Sequence, residues 1–150
     1  MKMSKISNFC LVILASVYGT NTYADTDIKL NCRLTITVNY SSGATEKNTK
    51  NVIVEVYQTS SHLSILPNDT DVGAVATRKI SSTDTVTNLS DSNKWDLTNV
   101  RTREGRVTEI TIQIDRNTGL MKSYLNSNQG RIVIESSGNC EKVDTTKKKF

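Results

Sequence analysis

The sequence predicts an all-β, antiparallel single domain that folds into a closed or nearly closed barrel, with a two-sheet β-sandwich as the alternative. Three observations carry this expectation. From Ile28 to Tyr40 every second residue is apolar and the residues between are polar, the period of a strand with one buried face. From Val107 to Glu135 the chain reads as three short strands separated by turn-forming residues, a meander. Cys32 and Cys140 sit near opposite ends of this pattern, and a bridge between them ties the first strand to the stretch after the last, as barrel closure requires.

Ahead of the domain, Lys2 and Lys5 precede an apolar run from Phe9 to Tyr18, and Thr22-Tyr23-Ala24 follows. This is the layout of a secretory signal peptide over residues 1–24, with cleavage after Ala24. The run is about half of the roughly 20 apolar residues that cross a bilayer as a helix, so no transmembrane anchor is expected. Cys10 departs with the signal, leaving Cys32 and Cys140 as the two cysteines of the domain over 25–150. An exported chain, bound for the periplasm or the exterior, meets surroundings in which disulfides persist.

The first strand points Leu30, Cys32, Leu34 and Ile36 inward. Ser41-Ser42-Gly43 opens a polar loop, after which Asn51 to Tyr57 reads as a second strand with Val52, Val54 and Val56 facing in, the two forming a long-looped hairpin. Leu63, Ile65 and Leu66 form a short strand ended by Pro67, and Val72 to Ile80 a weakly alternating one. Ser81 to Asn99 is polar apart from Val86, Leu89, Trp95 and Leu97, which suits one or two short strands within long loops. Ile110, Ile112 and Ile114 share a face of the next strand, Asp115 to Gly119 reverses the chain, and Leu120 to Leu125 returns. In that turn Asp115 has the side chain to bind backbone amides ahead of it, and Asn117 and Gly119 tolerate positive φ. Asn128-Gln129-Gly130 reverses again into Arg131 to Glu135. The stretch from Ile110 to Gly119, followed by Gly138-Asn139-Cys140, resembles in layout the ending of small exported bacterial β proteins of unknown role; that resemblance implies no activity and no site residues.

Charge narrows the partners little. The chain carries +4 at neutral pH, of which Lys2 and Lys5 belong to the signal, so no nucleic-acid footprint is expected. Lys147, Lys148 and Lys149 belong to a basic tail over about 144–150 that reads as a solvated end. That tail also lacks the alternation of an outer-membrane strand, and 5% aromatic residues are few for interfacial girdles.

The residues form no catalytic constellation. His62 is the only histidine, and no nucleophile motif such as G-x-S-x-G accompanies it. Asp69 with Asp71, and Asp91 with Asn93 and Asp96, offer oxygens but lack the twelve-residue spacing of a calcium loop, and turn formation accounts for them. No catalytic residue, cofactor or metal site is therefore expected. The expectation is a non-enzymatic module that binds a protein, a glycan or a small ligand through a sheet face, loop end or barrel mouth. Trp95, near Arg101 and Arg103, is the candidate contact anchor, against the alternative that the indole packs in the core. The competing classes are a structural or envelope-assembly protein with an exposed strand edge, and a hydrolase or lyase using scattered carboxylates and arginines.

Overall fold

A computed structural model describes residues 26–127 and 130–143. The signal expected over 1–24, the tail expected over 144–150, and Asn128 and Gln129 of the second reversal lie outside the described residues. The alternating segment forms β1 (Thr26–Tyr40), and its inward side chains Leu30, Cys32, Leu34 and Ile36 are all buried. Antiparallel to it runs β2 (Thr45–Gln58), in the register Cys32↔Val52 and Asn39↔Thr45. The expected long loop is instead a tight turn, closed by the Gly43 amide donating to the Tyr40 carbonyl and the Tyr40 amide to Ala44. The polar run Thr45 to Lys50 continues the strand because its amides pair with β1, although no apolar alternation marks it.

The middle of the chain supplies β3 (Leu63–Pro67), β4 (Val75–Ala76), β5 (Thr85–Asn88) and β6 (Lys94–Arg103). Strand structure in the Val72 to Ile80 segment is confined to two residues. Conversely, β6 runs further than its apolar residues indicate, carrying Arg101 and Arg103 within it. Then follow β7 (Arg106–Asp115), β8 (Leu120–Ser127) and β9 (Ile132–Lys142), the expected meander, with β9 extended past Glu135 so that Cys140 lies inside a strand. At the β7–β8 turn the Asp115 Oδ1 accepts the amides of Asn117 and Thr118 at 2.9 and 2.8 Å. Those amides hold the Asp115 carboxyl below its ordinary value. Of the two residues suited to positive φ, Gly119 adopts it, at +73°. An added Cβ there would stand 2.3 Å from the Cys140 carbonyl oxygen, so both space and conformation require glycine.

All nine strands form one antiparallel sheet in the order β4-β3-β2-β1-β9-β8-β7-β6-β5. One continuous sheet, rather than two packed layers, curls until β4 packs against β6. The result is a nearly closed barrel whose interior is filled by the inward residues of β1, β2, β6 and β7. Cys32 stands directly opposite Cys140 in the β1–β9 ladder, bridged to it with Cα atoms 3.9 Å apart, and Cys32 is fully buried. The inward register of β1 and the joining of first and last strands are thereby both found.

The seam between β4 and β6 is closed by a side chain. Asn99 of β6, 1% exposed, accepts the Ala76 amide through Oδ1 at 3.1 Å and donates from Nδ2 to the Ala76 carbonyl at 3.0 Å. A carboxamide offers one donor group and one acceptor, so Asn99 occupies the place a paired strand residue would take.

Curvature on the opposite side depends on Gly138, inward on β9 and opposite Leu34 and Met121. A Cβ added there would lie 1.9 Å from the Arg33 carbonyl oxygen; β1 comes so close because glycine leaves the corner empty. Gly138→Ala is expected to lower unfolding stability by about 3 kcal/mol through forced backbone displacement. Urea denaturation of the variant checks this, and an unchanged midpoint would show that β1 and β9 separate freely.

Candidate functional site

A sizeable hollow lies on the outer face of the sheet. Two outward rows cross the strands and build it. One runs Lys47 (β2), Thr37 (β1), Glu135 (β9), Tyr124 (β8), Thr111 (β7); the other runs Thr35, Ser137, Lys122, Gln113. Together they line a groove of about 560 Å³.

Small residues occupy the inner face of β8 and β9 beneath the groove. Ser123 and Ser136 are paired across β8 and β9, buried, and hydrogen-bonded to each other through their hydroxyls, and Gly138 follows two residues on. The two serines satisfy each other, as buried hydroxyls must.

The polar side chains of this groove divide into partnered and unpartnered ones. Thr35 pairs with Thr49 at 3.2 Å and Thr111 with Thr98 at 2.9 Å, as Lys29 pairs with Glu55 at 3.1 Å elsewhere on the outer surface. Asp96 accepts from both Lys94 and Gln113 at 2.9 and 3.1 Å. In the groove, Lys47, Lys122, Glu135 and the Tyr124 phenol have no side-chain hydrogen bond or ion pair with another described residue. Groups in that state are free to bind a ligand without breaking a protein contact.

The candidate contact residues named from the sequence do not gather there. Trp95 is 3% exposed, its indole N–H donates to Gln58 Oε1 at 2.8 Å, and the Arg116 guanidinium covers its ring at 4.8 Å. It closes one end of the barrel as a core residue and presents no face to a ligand. Arg101 and Arg103 lie six and eight residues along β6, roughly 20 Å or more away at strand rise. The Arg101 guanidinium reaches toward the Ala74 carbonyl at 3.5 Å.

Arg103 grips Asp84 with both nitrogens, at 3.1 and 3.4 Å. Asp84 is 2% exposed and also accepts the Ile80 and Ser81 amides at 2.9 and 3.0 Å. Burial alone pushes this carboxyl's pKa up, but the two amides and Arg103 outweigh it and hold the value below the ordinary one. The folded state therefore favours the carboxylate: its stabilising contribution is complete above the unfolded pKa and is lost as pH falls through the lowered folded value. Asp84→Asn is expected to flatten the acid limb of stability against pH, read from thermal melts between pH 2 and 7; an unaltered limb would contradict this.

His62 engages both ring nitrogens, Nε2 with Ser64 Oγ at 2.7 Å and Nδ1 with Thr77 Oγ1 at 3.1 Å. It borders a separate hollow of about 180 Å³ beside Gln58, Ser90 and Asp91. Asp69 and Asp71 clasp the Lys50 ammonium at 2.7 and 3.1 Å, raising its pKa, so a lysine fills the position a cation would take between them. Asp91 is used as a turn former, accepting the amides of Asn93 and Lys94. Among the described residues, His62 and Asp71 border separate hollows, and Arg103 is engaged by Asp84 away from both. Among the described residues no three metal-ligating side chains cluster.

The groove residues Lys47, Lys122, Tyr124 and Glu135 were missed as a site. Each is readable as an outward position, but their convergence depends on cross-strand register. No family model matches the chain, and no match was found among curated proteins or solved structures.

Proposed function

We propose that this chain is an exported, non-enzymatic binding module whose outer-face groove, centred on Tyr124, holds a polar ligand. The observation that carries the reading is the set of four polar side chains, Lys47, Lys122, Tyr124 and Glu135, gathered in one groove with no side-chain hydrogen bond or ion pair to another described residue. The buried Cys32–Cys140 bridge supports export, because such a bond persists in an oxidising compartment. Among the described residues no helix is long and apolar enough to cross a membrane. A non-enzymatic role is favoured because His62, Asp69, Asp84 and Asp91 lie outside the groove and are spent on turns, hydrogen bonds and ion pairs. Among the described residues no histidine or aspartate lines the groove with Lys47, Lys122, Tyr124 and Glu135 to complete an acid-base or nucleophile pair there.

Amide chemical-shift mapping of the oxidised protein against polysaccharide and peptide fractions of a cell envelope tests the reading. Shifts are expected to cluster at Thr35, Thr111, Tyr124 and Ser137. Shifts confined to the His62 hollow, or none at all, would overturn it.

A second reading, strand acceptance in envelope assembly, is favoured by β5. The Leu89 amide donates to Asp96, so in this register the odd-numbered residues of β5 bond to β6 while the backbone groups of Val86 and Asn88 face away. No described strand pairs on that side, and Ile80 and Leu89 flank it at 71% and 61% exposure. Proline is tolerated where an edge N–H faces solvent. Asn88→Pro is therefore expected to abolish any partner-strand binding while leaving the melting temperature nearly unchanged; unaltered partner binding would remove this reading.

A further inference from the structure

We infer that the ligand of this groove is an extended glycan, several linked sugar rings laid across the strands. This rests on the binding reading above and assigns its ligand class. The groove does not end where its walls do. Through Thr35 and Ser137 it is continuous with a second hollow of about 390 Å³ around Arg33 and Asn139. Through Gln113 and Lys122 it joins a third of about 190 Å³ beside Asp115 and Leu120. The resulting trough crosses from β2 to β6, five strand spacings, which is about 24 Å at ~4.8 Å per spacing. A trough of that length, open on its outer side, suits a polymer rather than an enclosed small molecule.

Its chemistry selects among polymers. Small-molecule sites are lined mostly by apolar side chains, whereas here one aromatic ring stands among hydroxyls, amides and a few charges. Tyr124 offers an apolar ring face for the C–H face of a sugar and a phenol for its hydroxyls. Thr37, Gln113, Ser137 and Asn139 supply neutral donors and acceptors in rows at strand spacing. An extended peptide is disfavoured because peptides bind sheets by pairing with a free edge or by seating apolar anchors. In contrast, β1, β9, β8 and β7 are each paired on both sides. A nucleic acid is disfavoured because Glu135, Glu141 and Asp115 are interspersed with Lys47, Lys122, Arg33 and Lys94 in the trough, which leaves no continuous basic track for a phosphate backbone.

The test is isothermal titration of the oxidised full domain with chito-, cello- and galacturono-oligosaccharides from dimer to hexamer, alongside a six-residue extended peptide of neutral composition. The expected result is binding of at least one saccharide series with affinity rising about tenfold or more from dimer to hexamer, and no binding of the peptide. Equal affinity for dimer and hexamer overturns the extended-ligand assignment. Absence of binding by every saccharide series, with peptide-induced amide shifts at Tyr124 and Thr35, overturns the glycan assignment and leaves the groove reading standing. Absence of any groove shift with saccharide or peptide overturns both.

Discussion

Removing the Cys32–Cys140 bridge by the paired substitution Cys32→Ala, Cys140→Ala is expected to lower the unfolding free energy by about 4 kcal/mol. The bond closes a loop with a sequence separation of 108 residues, and the chain-entropy relation assigns such a loop roughly 4–5 kcal/mol. The effect acts on the unfolded chain, because in the folded state β1 and β9 remain paired from Leu30↔Lys142 to Tyr40↔Ile132 without it. The variant should therefore keep its β-sheet circular dichroism and its native amide pattern while its urea midpoint falls. A loss below 1 kcal/mol would mean that the unfolded chain already holds its two ends together. For a domain whose net stability is of the order of 5–15 kcal/mol, the predicted loss separates a robust fold from a marginal one.

Asn99→Leu is expected to cost about 2–5 kcal/mol and to loosen one seam of the barrel selectively. Leucine has similar bulk but cannot accept from the Ala76 amide or donate to its carbonyl, and each buried backbone group left unpaired costs roughly 1–3 kcal/mol. Asn99→Asp restores the acceptor alone and leaves the Ala76 carbonyl without its donor, so it should rescue little. Hydrogen exchange separates this local account from general destabilisation. The Ala76 amide should exchange faster at denaturant concentrations where the amides of β1 and β9 are still protected. Uniform acceleration across the sheet would contradict closure by the Asn99 clasp.

Half of this architecture was legible because alternation and cysteine placement report directly on burial. The inward faces of β1, β2 and β7 follow from residues such as Leu34, Val54 and Ile112, and the meander follows from Asp115-Arg116-Asn117-Thr118-Gly119, where side-chain chemistry dictates the reversal. Strand length was less legible, since Thr45 to Lys50 and Ser136 to Glu141 are held by backbone pairing to a neighbour, which polar side chains do not announce. The barrel seam was illegible for a related reason: Asn99 reads as a loop-forming asparagine, and its clasp on Ala76 appears only when strands 23 residues apart meet in space.

The same limit explains the site. Trp95 attracts attention because it is the only tryptophan, yet its placement on the inward side of β6 makes it core, with Gln58 and Arg116 supplying its polar contacts. Arg103 is drawn into the buried Asp84 cap. Tyr124 sits at an unremarkable outward position, and what makes it a candidate is the register that sets it beside Glu135 and Thr111 and in one groove with Lys47 and Lys122, residues of four different strands.

The central claim, that an unpartnered Tyr124 in the outer groove carries ligand binding, is tested most directly by the affinity of Tyr124→Ala for the tightest-binding saccharide, measured beside its melting temperature. Tyr124 faces outward and makes no side-chain hydrogen bond to a described residue, so the fold should tolerate its removal, with the melting temperature within a few degrees of the parent. The account predicts an affinity loss of about tenfold or more, the worth of an aromatic contact of about 1.4 kcal/mol. Undiminished affinity at an unchanged melting temperature would contradict it.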